Sequence, residues 1–149
     1  MEPPKRIVLA TDHAGFELKE IIKSHLAEKG IDVIDVGTFS NKACDYPDII
    51  RKGCAVVLEE CIPGIIFGGS GIGESIVANK VKGIRSARCL TLEDAEMCRR
   101  HNNANVISLG GRMIETEIAK QMVDIFLSMD FDGDKPEGER HKRRVDDIE

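Results

Sequence analysis

Residues 64–80 read GIIFGGSGIGESIVANK, and the reading of this stretch decides the fold. Ile65, Ile66 and Phe67 form an apolar run too short for a helix and suited to a buried strand. Four glycines follow within six residues, Gly68, Gly69, Gly71 and Gly73, and let a ligand approach the backbone without meeting a Cβ. Where such a loop opens a helix, its unpaired N–H groups and the positive end of the dipole suit an anionic oxygen, either a phosphate or an oxyanion developing in a reaction. Glu74 stands at the head of that helix, beside those donors, where a carboxylate could move a proton. A plainer reading fits the same residues: a tight strand-to-helix turn capped by Ser70, with Glu74 an ordinary first-turn acid.

Working outward, the strand, loop and helix recur. Arg6 to Ala10 reads as a first strand, residues 11–15 (TDHAG) as a loop, and Phe16 to Lys29 as a helix with Leu18, Ile21, Ile22 and Leu26 on one face and Gly30 after its end. On this reading His25 lies on the outside of that helix. Val33 to Val36 is a short second strand; Asp45, Tyr46, Pro47 and Asp48 stand just ahead of a helix to about Glu60. Ser86 to Leu90 is a fourth strand, and Thr91 caps a helix to Arg100, with Asp94 a weak substitute for the usual capping-box Glu. Asn105 to Leu109 is a fifth strand, and Glu115 to Met129 a long last helix. Alternation of this kind predicts an α/β fold, a doubly wound, Rossmann-like five-stranded parallel sheet with helices on both faces. In such sheets ligands bind outside the carboxyl ends of the strands, where the loops after strands one, three and five would gather.

The 149 residues make one domain, read as 1–129, with a charged C-terminal extension over 130–149. A solvated or frayed tail is the ordinary reading of such an extension. Against it, Arg140 and Arg144 stand four apart on any helix, a like-charge pair unfavourable by roughly 0.2–0.5 kcal/mol unless an anion lies between them. Arg112, after the last glycine pair, could add a third guanidinium to a phosphate site.

A net charge of −5 argues against a general affinity for nucleic acid. No apolar run approaches the ~20 residues of a membrane helix, and MEPPKR lacks a signal peptide's apolar core, so the expected location is the cytoplasm. Five cysteines without zinc-ligand spacing read as reduced, small, buried or half-buried side chains. The histidines show no metal-binding spacing, and no metal or cofactor is expected. GGSGIGES lacks the ending of a nucleotide-binding P-loop, and the glycines do not follow the first strand as a nicotinamide site requires. Asp12 with His13 ends the first strand, and either caps a helix or faces a ligand. His101, followed by Asn102 and Asn103, either ends a helix well or exchanges protons near neutral pH.

Together TDHAGFELK, DYPD, GGSGIGESIVANKVKGIRSA, RRHNNANVISLGGRM and RHKRRV resemble the ribose 5-phosphate isomerase B family, which includes the galactose 6-phosphate isomerase subunits; the likeness runs from about Arg6 to Ile148. The resemblance implies a cofactor-free aldose–ketose isomerase of the pentose phosphate pathway, acting on ribose 5-phosphate as a homodimer, or a homotetramer, whose sites draw on both subunits. His101 would help open the sugar ring, assisted by Asp12, while His13, Tyr46 and Asn102 would line the site. Arg112, Arg140 and Arg144 would clamp the phosphate, partly from the neighbouring chain, on which the extension would pack. The amides of Gly69, Gly71 and Gly73 and the Ser70 hydroxyl would hold the enediolate. Many members place a cysteine base where this chain has Gly68; a second branch has a glutamate at the position of Glu74, and this sequence looks like that branch. A non-catalytic sugar-phosphate or nucleotide module, or an isomerase of six-carbon sugar phosphates, would use the same loop and arginines.

Overall fold

A computed structural model describes residues 2–149. In chain order its elements are β1 (Arg6–Thr11), α1 (Phe16–Glu28), β2 (Asp32–Asp35), α2 (Tyr46–Glu60), β3 (Gly64–Gly68), α3 (Ile72–Asn79), β4 (Ser86–Arg88), α4 (Leu92–Arg100), β5 (Val106–Gly110) and α5 (Thr116–Ser128). Two 3-10 turns, Asp132–Asp134 and Pro136–Gly138, then lead into a short α6 (Glu139–Asp146). All strand pairs are parallel, in the order β2-β1-β3-β5-β4.

That order explains the sequence pattern. β3 and β5 are buried along their whole length because helices cover both faces, so they read as continuous apolar runs and not as alternations. Alternate residues still face opposite ways. Ile65 and Phe67 enter a core with Leu18, Ile22, Met122 and Phe126, from α1 and α5. Ile66 enters a second core with Ile50, Cys54, Val57 and Ala78, from α2 and α3. Crossovers moving one way along the sheet use α1 and α4 on the first face; those moving the other way use α2 and α3 on the second, as a single crossover hand requires. The direction reverses between β1 and β3, and β5 lies next to β3. The loops after these three strands therefore share one edge.

Several details differ from the sequence reading. β2 and β5 are displaced by one residue, and β4 ends at Arg88, although the Cys89 amide still donates to the Ser108 carbonyl of β5 at 3.1 Å. Asp94 completes a capping box with Thr91 despite its short side chain: its Oδ2 accepts from the Thr91 amide at 3.1 Å and its own amide donates to Thr91 Oγ1 at 3.1 Å. His25 is not on the outside of α1 but half-buried, its Nε2 2.7 Å from Asp124 Oδ1 on α5. Cys61 is exposed, since it terminates α2 in a left-handed conformation at φ 53°. The extension is folded: Asp132 bridges Arg100 at 3.0 Å and Lys135 at 3.1 Å, and His141 on α6 stacks on His101. No helix among the described residues is long and apolar enough to cross a membrane.

Candidate active site

At the carboxyl edge, the loop from Gly68 to Gly71 is tied down by its carbonyls. Those of Gly68 and Gly69 accept from the Gly111 and Arg112 amides at 2.8 and 3.0 Å. The Ser70 carbonyl accepts from Arg88 Nε at 3.0 Å, and that of Gly71 from the buried Ser108 hydroxyl at 2.7 Å. With its acceptors engaged behind, the loop is left with its donors: among the described residues the amides of Gly69, Ser70, Gly71 and Gly73 meet no acceptor. Gly71 needs to be glycine, being left-handed at φ 78° with Ser108 Oγ 3.0 Å from where a Cβ would stand. It is Gly71, not Ser70, that occupies the N-cap position of α3, although Ser70 Oγ accepts from the Ile72 amide at 3.2 Å.

Glu74, in the first turn of α3, is 3% exposed and folds back beneath this loop. A Cβ on Gly68 would collide with its carboxylate. The glutamate fills the space that a side chain at position 68 would need. Burial, and then the neighbouring Asp12 carboxylate, push the Glu74 pKa up to about 7. Asp12 is itself buried; its Oδ1 accepts from the Gly15 amide at 2.8 Å, which closes the loop after β1 without capping α1.

The remaining groups at this edge converge from three loops. His13 Nδ1 accepts from the Cys44 amide at 3.3 Å. A backbone N–H can only donate, so that nitrogen is unprotonated and the ring proton sits on Nε2. Tyr46 reaches from the start of α2 to α3, where a side chain on Gly73 would strike its hydroxyl. The Arg112 guanidinium overlies Gly69, with Nη1 3.2 Å from where a Cβ would be.

His101, Asn102, Arg140 and Arg144 lie elsewhere. α4 ends where β5 begins, so His101 belongs to the amino edge, the edge at which the Gly64 amide donates to the Asn105 carbonyl at 2.9 Å. The His101 and His141 rings stack at 4.3 Å with an interplanar angle of 5°. Burial, then His101, Arg140 and Arg144, hold the His141 pKa below its ordinary value. The stack separates two hollows: one of about 300 Å³ beside Arg140, and one of about 390 Å³ beside Asn102 and Arg144. A roomier cavity of about 580 Å³ lies between Val57, Ile62, Arg85 and Phe126 and contains none of these residues.

The sequence reading had not singled out Ser108, Arg88, Cys44 or His141. Ser108 carried a signal, as the one hydroxyl in the apolar run VISLG, and His141 lies within RHKRRV.

A doubly wound α/β protein with open loop amides and a buried carboxylate of raised pKa at its switch point is of the class that shifts protons on small anionic molecules. The Ribose/Galactose Isomerase family matches residues 7–148, and the chain belongs to it. It is 41% identical over 145 residues to ribose-5-phosphate isomerase B of Escherichia coli, covering 97% of this chain and 94% of that one. A ribose 5-phosphate isomerase structure from Thermotoga maritima superposes with a TM-score of 0.90 at 44% identity, covering 99% of this chain and 98% of that one. Ribose-5-phosphate isomerase B of Mycoplasma genitalium, solved with bound ribulose-5-phosphate, gives a TM-score of 0.87 at 37% identity, covering 96% and 93%.

Proposed function

We propose that this chain interconverts ribose 5-phosphate and ribulose 5-phosphate as an aldose–ketose isomerase, with Glu74 as the base. The observation that carries the proposal is Glu74 itself, buried beneath unpartnered amides with a pKa pushed up to about 7, where a general base works best at neutral pH. Its carboxylate takes the proton from C2 of the open-chain sugar, and the C–H electron pair moves into the C1–C2 bond as the carbonyl electrons pass to O1. The enediolate oxygens meet the amides of Gly69, Ser70 and Gly71, donors that need no reorganisation as charge develops. Glu74 returns its proton to C1 while the O2 proton is lost and O1 gains one, which leaves the ketose. Arg112, His13 and Tyr46 hold the rest of the substrate.

Ring opening by His101 requires a second copy of the chain. β3 rises about 3.3 Å per residue, so its two edges stand about 13 Å apart, whereas proton transfer needs contact near 3 Å. Two copies whose amino and carboxyl edges meet would bring His101, Asn102, Arg140 and Arg144 of one to Glu74 of the other. α3 leaves the glycine loop with Ile72 and Ile76 48% and 57% exposed, an apolar strip suited to that contact. The extension, anchored to its own α4 through Asp132, would then serve the neighbour's site.

The test is incubation with ribose 5-phosphate in D₂O without added metal. The expected product is ribulose 5-phosphate carrying solvent deuterium at C1. No turnover of ribose, allose or galactose phosphates would refute the enzyme reading.

A further inference from the structure

Lys19 on α1 is wholly buried, an expensive place for an ammonium group unless it is paired. Its Nζ donates to both carboxylate oxygens of Asp35 at 2.7 Å and to the Thr38 carbonyl at 2.8 Å. The Phe16 and Phe39 rings flank it, with centroids 5.4 and 5.0 Å away. Asp35 also accepts from the Gly37 amide and from Lys23 Nζ, both at 2.9 Å.

The ammonium's close partners stand at the end of β2 and just beyond it, where the segment that leads into the site begins. Residues 36–45 belong to no helix or strand; Val36 to Thr38 still bond to β1 through their backbone, the Val36 amide donating to the Leu9 carbonyl at 3.0 Å, and beyond Thr38 no strand guides the chain. The Gly37 carbonyl accepts from the Thr11 amide at 2.7 Å and the Thr38 amide donates to the Thr11 carbonyl at 2.9 Å, which ties the segment to the end of β1 beside Asp12 and His13. Further on, the Cys44 amide fixes the tautomer of His13, and Tyr46 begins α2 against Gly73.

We infer that Lys19 is a positioning residue: its buried ammonium, bound to Asp35 and Thr38, sets the path of residues 36–45 and through them the placing of His13 and Tyr46 on the substrate. The inference rests on the isomerase reading for its kinetic consequence. The competing account is an ion pair that serves stability alone, and such pairs are often replaceable by apolar residues.

Lys19→Met leaves Asp35 buried with one partner fewer and risks unfolding, so Lys19→Met/Asp35→Asn, which removes both charges, is the decisive variant. His25→Ala, which breaks the bridge from α1 to Asp124, is the control for lost stability. For each, kcat and KM on ribose 5-phosphate, the melting temperature and the ¹⁵N imidazole signals of His13 are measured. In the double variant kcat/KM should fall about 10- to 100-fold, mostly through KM, as expected for misplaced substrate contacts. Its His13 signals should lose the pattern of a fixed Nε2–H tautomer. His25→Ala should melt lower yet keep wild-type kinetics and His13 signals. Wild-type kcat/KM and His13 signals in the double variant would overturn the inference. Altered His13 signals in a chain whose wild type never turns over the sugar would sink the isomerase reading instead and leave Lys19's hold on the segment standing.

Discussion

The carboxylates of the carboxyl edge and the cations of the amino edge meet water differently. At the carboxyl edge Glu74 is 3% exposed and Asp12 8%. At the amino edge the His101 side chain is 39% exposed and Arg140 and Arg144 face solvent. The proposed reaction accounts for the difference by what each group would do. A carboxylate becomes a base of neutral pKa only by losing hydration, so it must be buried. Guanidinium groups that capture a phosphate from solution keep their charge in any setting and need access. A single chain holds the buried carboxylates and the exposed cations about a strand's length apart, and on the proposed reading neither group forms a complete site alone.

The largest effect should come from removing the proton carrier at the carboxyl edge. Glu74→Gln is expected to lower kcat by about 10³- to 10⁴-fold with KM little changed. It also has a sign in stability. Because the folded pKa is raised from 4.5 to about 7, the native state binds the Glu74 proton more tightly than the unfolded chain, and this contribution is lost as pH rises between those values. Above pH 7 the buried carboxylate costs up to about 3 kcal/mol, which the glutamine should restore. Urea denaturation should show the variant more stable than wild type at pH 8 and equal to it at pH 4. A kcat near wild type would move the base elsewhere.

Mixing tests whether the two groups of one site belong to different chains. Glu74→Gln and His101→Ala should each be nearly inactive. Unfolded and refolded together in equal amounts, half of the resulting pairs would hold one intact site, so activity should return to about a quarter of wild type. No recovery, with mixed pairs demonstrated by mass spectrometry, would break the two-chain arrangement.

Next in size is the packing that keeps Glu74 in place. Gly68→Ala puts a methyl group into the carboxylate's position, at an overpacking cost of about 1–3 kcal/mol. Displacing the base by an ångström should reduce kcat about 10²-fold. An unchanged kcat would show that the carboxylate has a second productive seat.

How legible each edge was in the sequence depends on how far its contacts reach. The carboxyl edge announced itself because Gly68, Ser70 and Glu74 lie within seven residues, so the strand, loop and helix could be read as one local motif. Runs such as Ile65 to Phe67 and the one-sided helix Leu18 to Leu26 likewise carry their burial in their own pattern. At the amino edge the spacing of Arg140 and Arg144 was a local signal for an anion, but nothing local showed where the extension packs. α6 has almost no apolar residues, and what holds it is Asp132 on Arg100 and His141 on His101, pairs 32 and 40 positions apart. His25 was misplaced for the same reason, its partner Asp124 lying 99 positions away. Lys19 and Asp35, 16 positions apart, carry no sign of burial in their own pattern, because only the closed loop removes them from water.

The smallest effect probes the cause of the raised pKa, and with it the contrast between buried carboxylates and exposed cations. Burial is the larger contribution to the Glu74 shift and the Asp12 carboxylate the smaller. In Asp12→Asn the amide oxygen can still accept from Gly15, so the loop after β1 keeps its turn, but the negative charge beside Glu74 is gone. The acid limb of kcat/KM reports the base of the free enzyme, and in wild type it should fall near pH 7, with activity dropping tenfold per unit below. In the variant the limb should move to lower pH yet stay above the ordinary carboxylate value, because the desolvation remains. The ratio of activity at pH 6 to that at pH 8 should therefore rise even if the absolute rate drops through slower ring opening. An unmoved limb would mean that burial alone sets the base, and a limb falling to an ordinary glutamate value would mean that the loop admits water and the carboxyl edge is not dry.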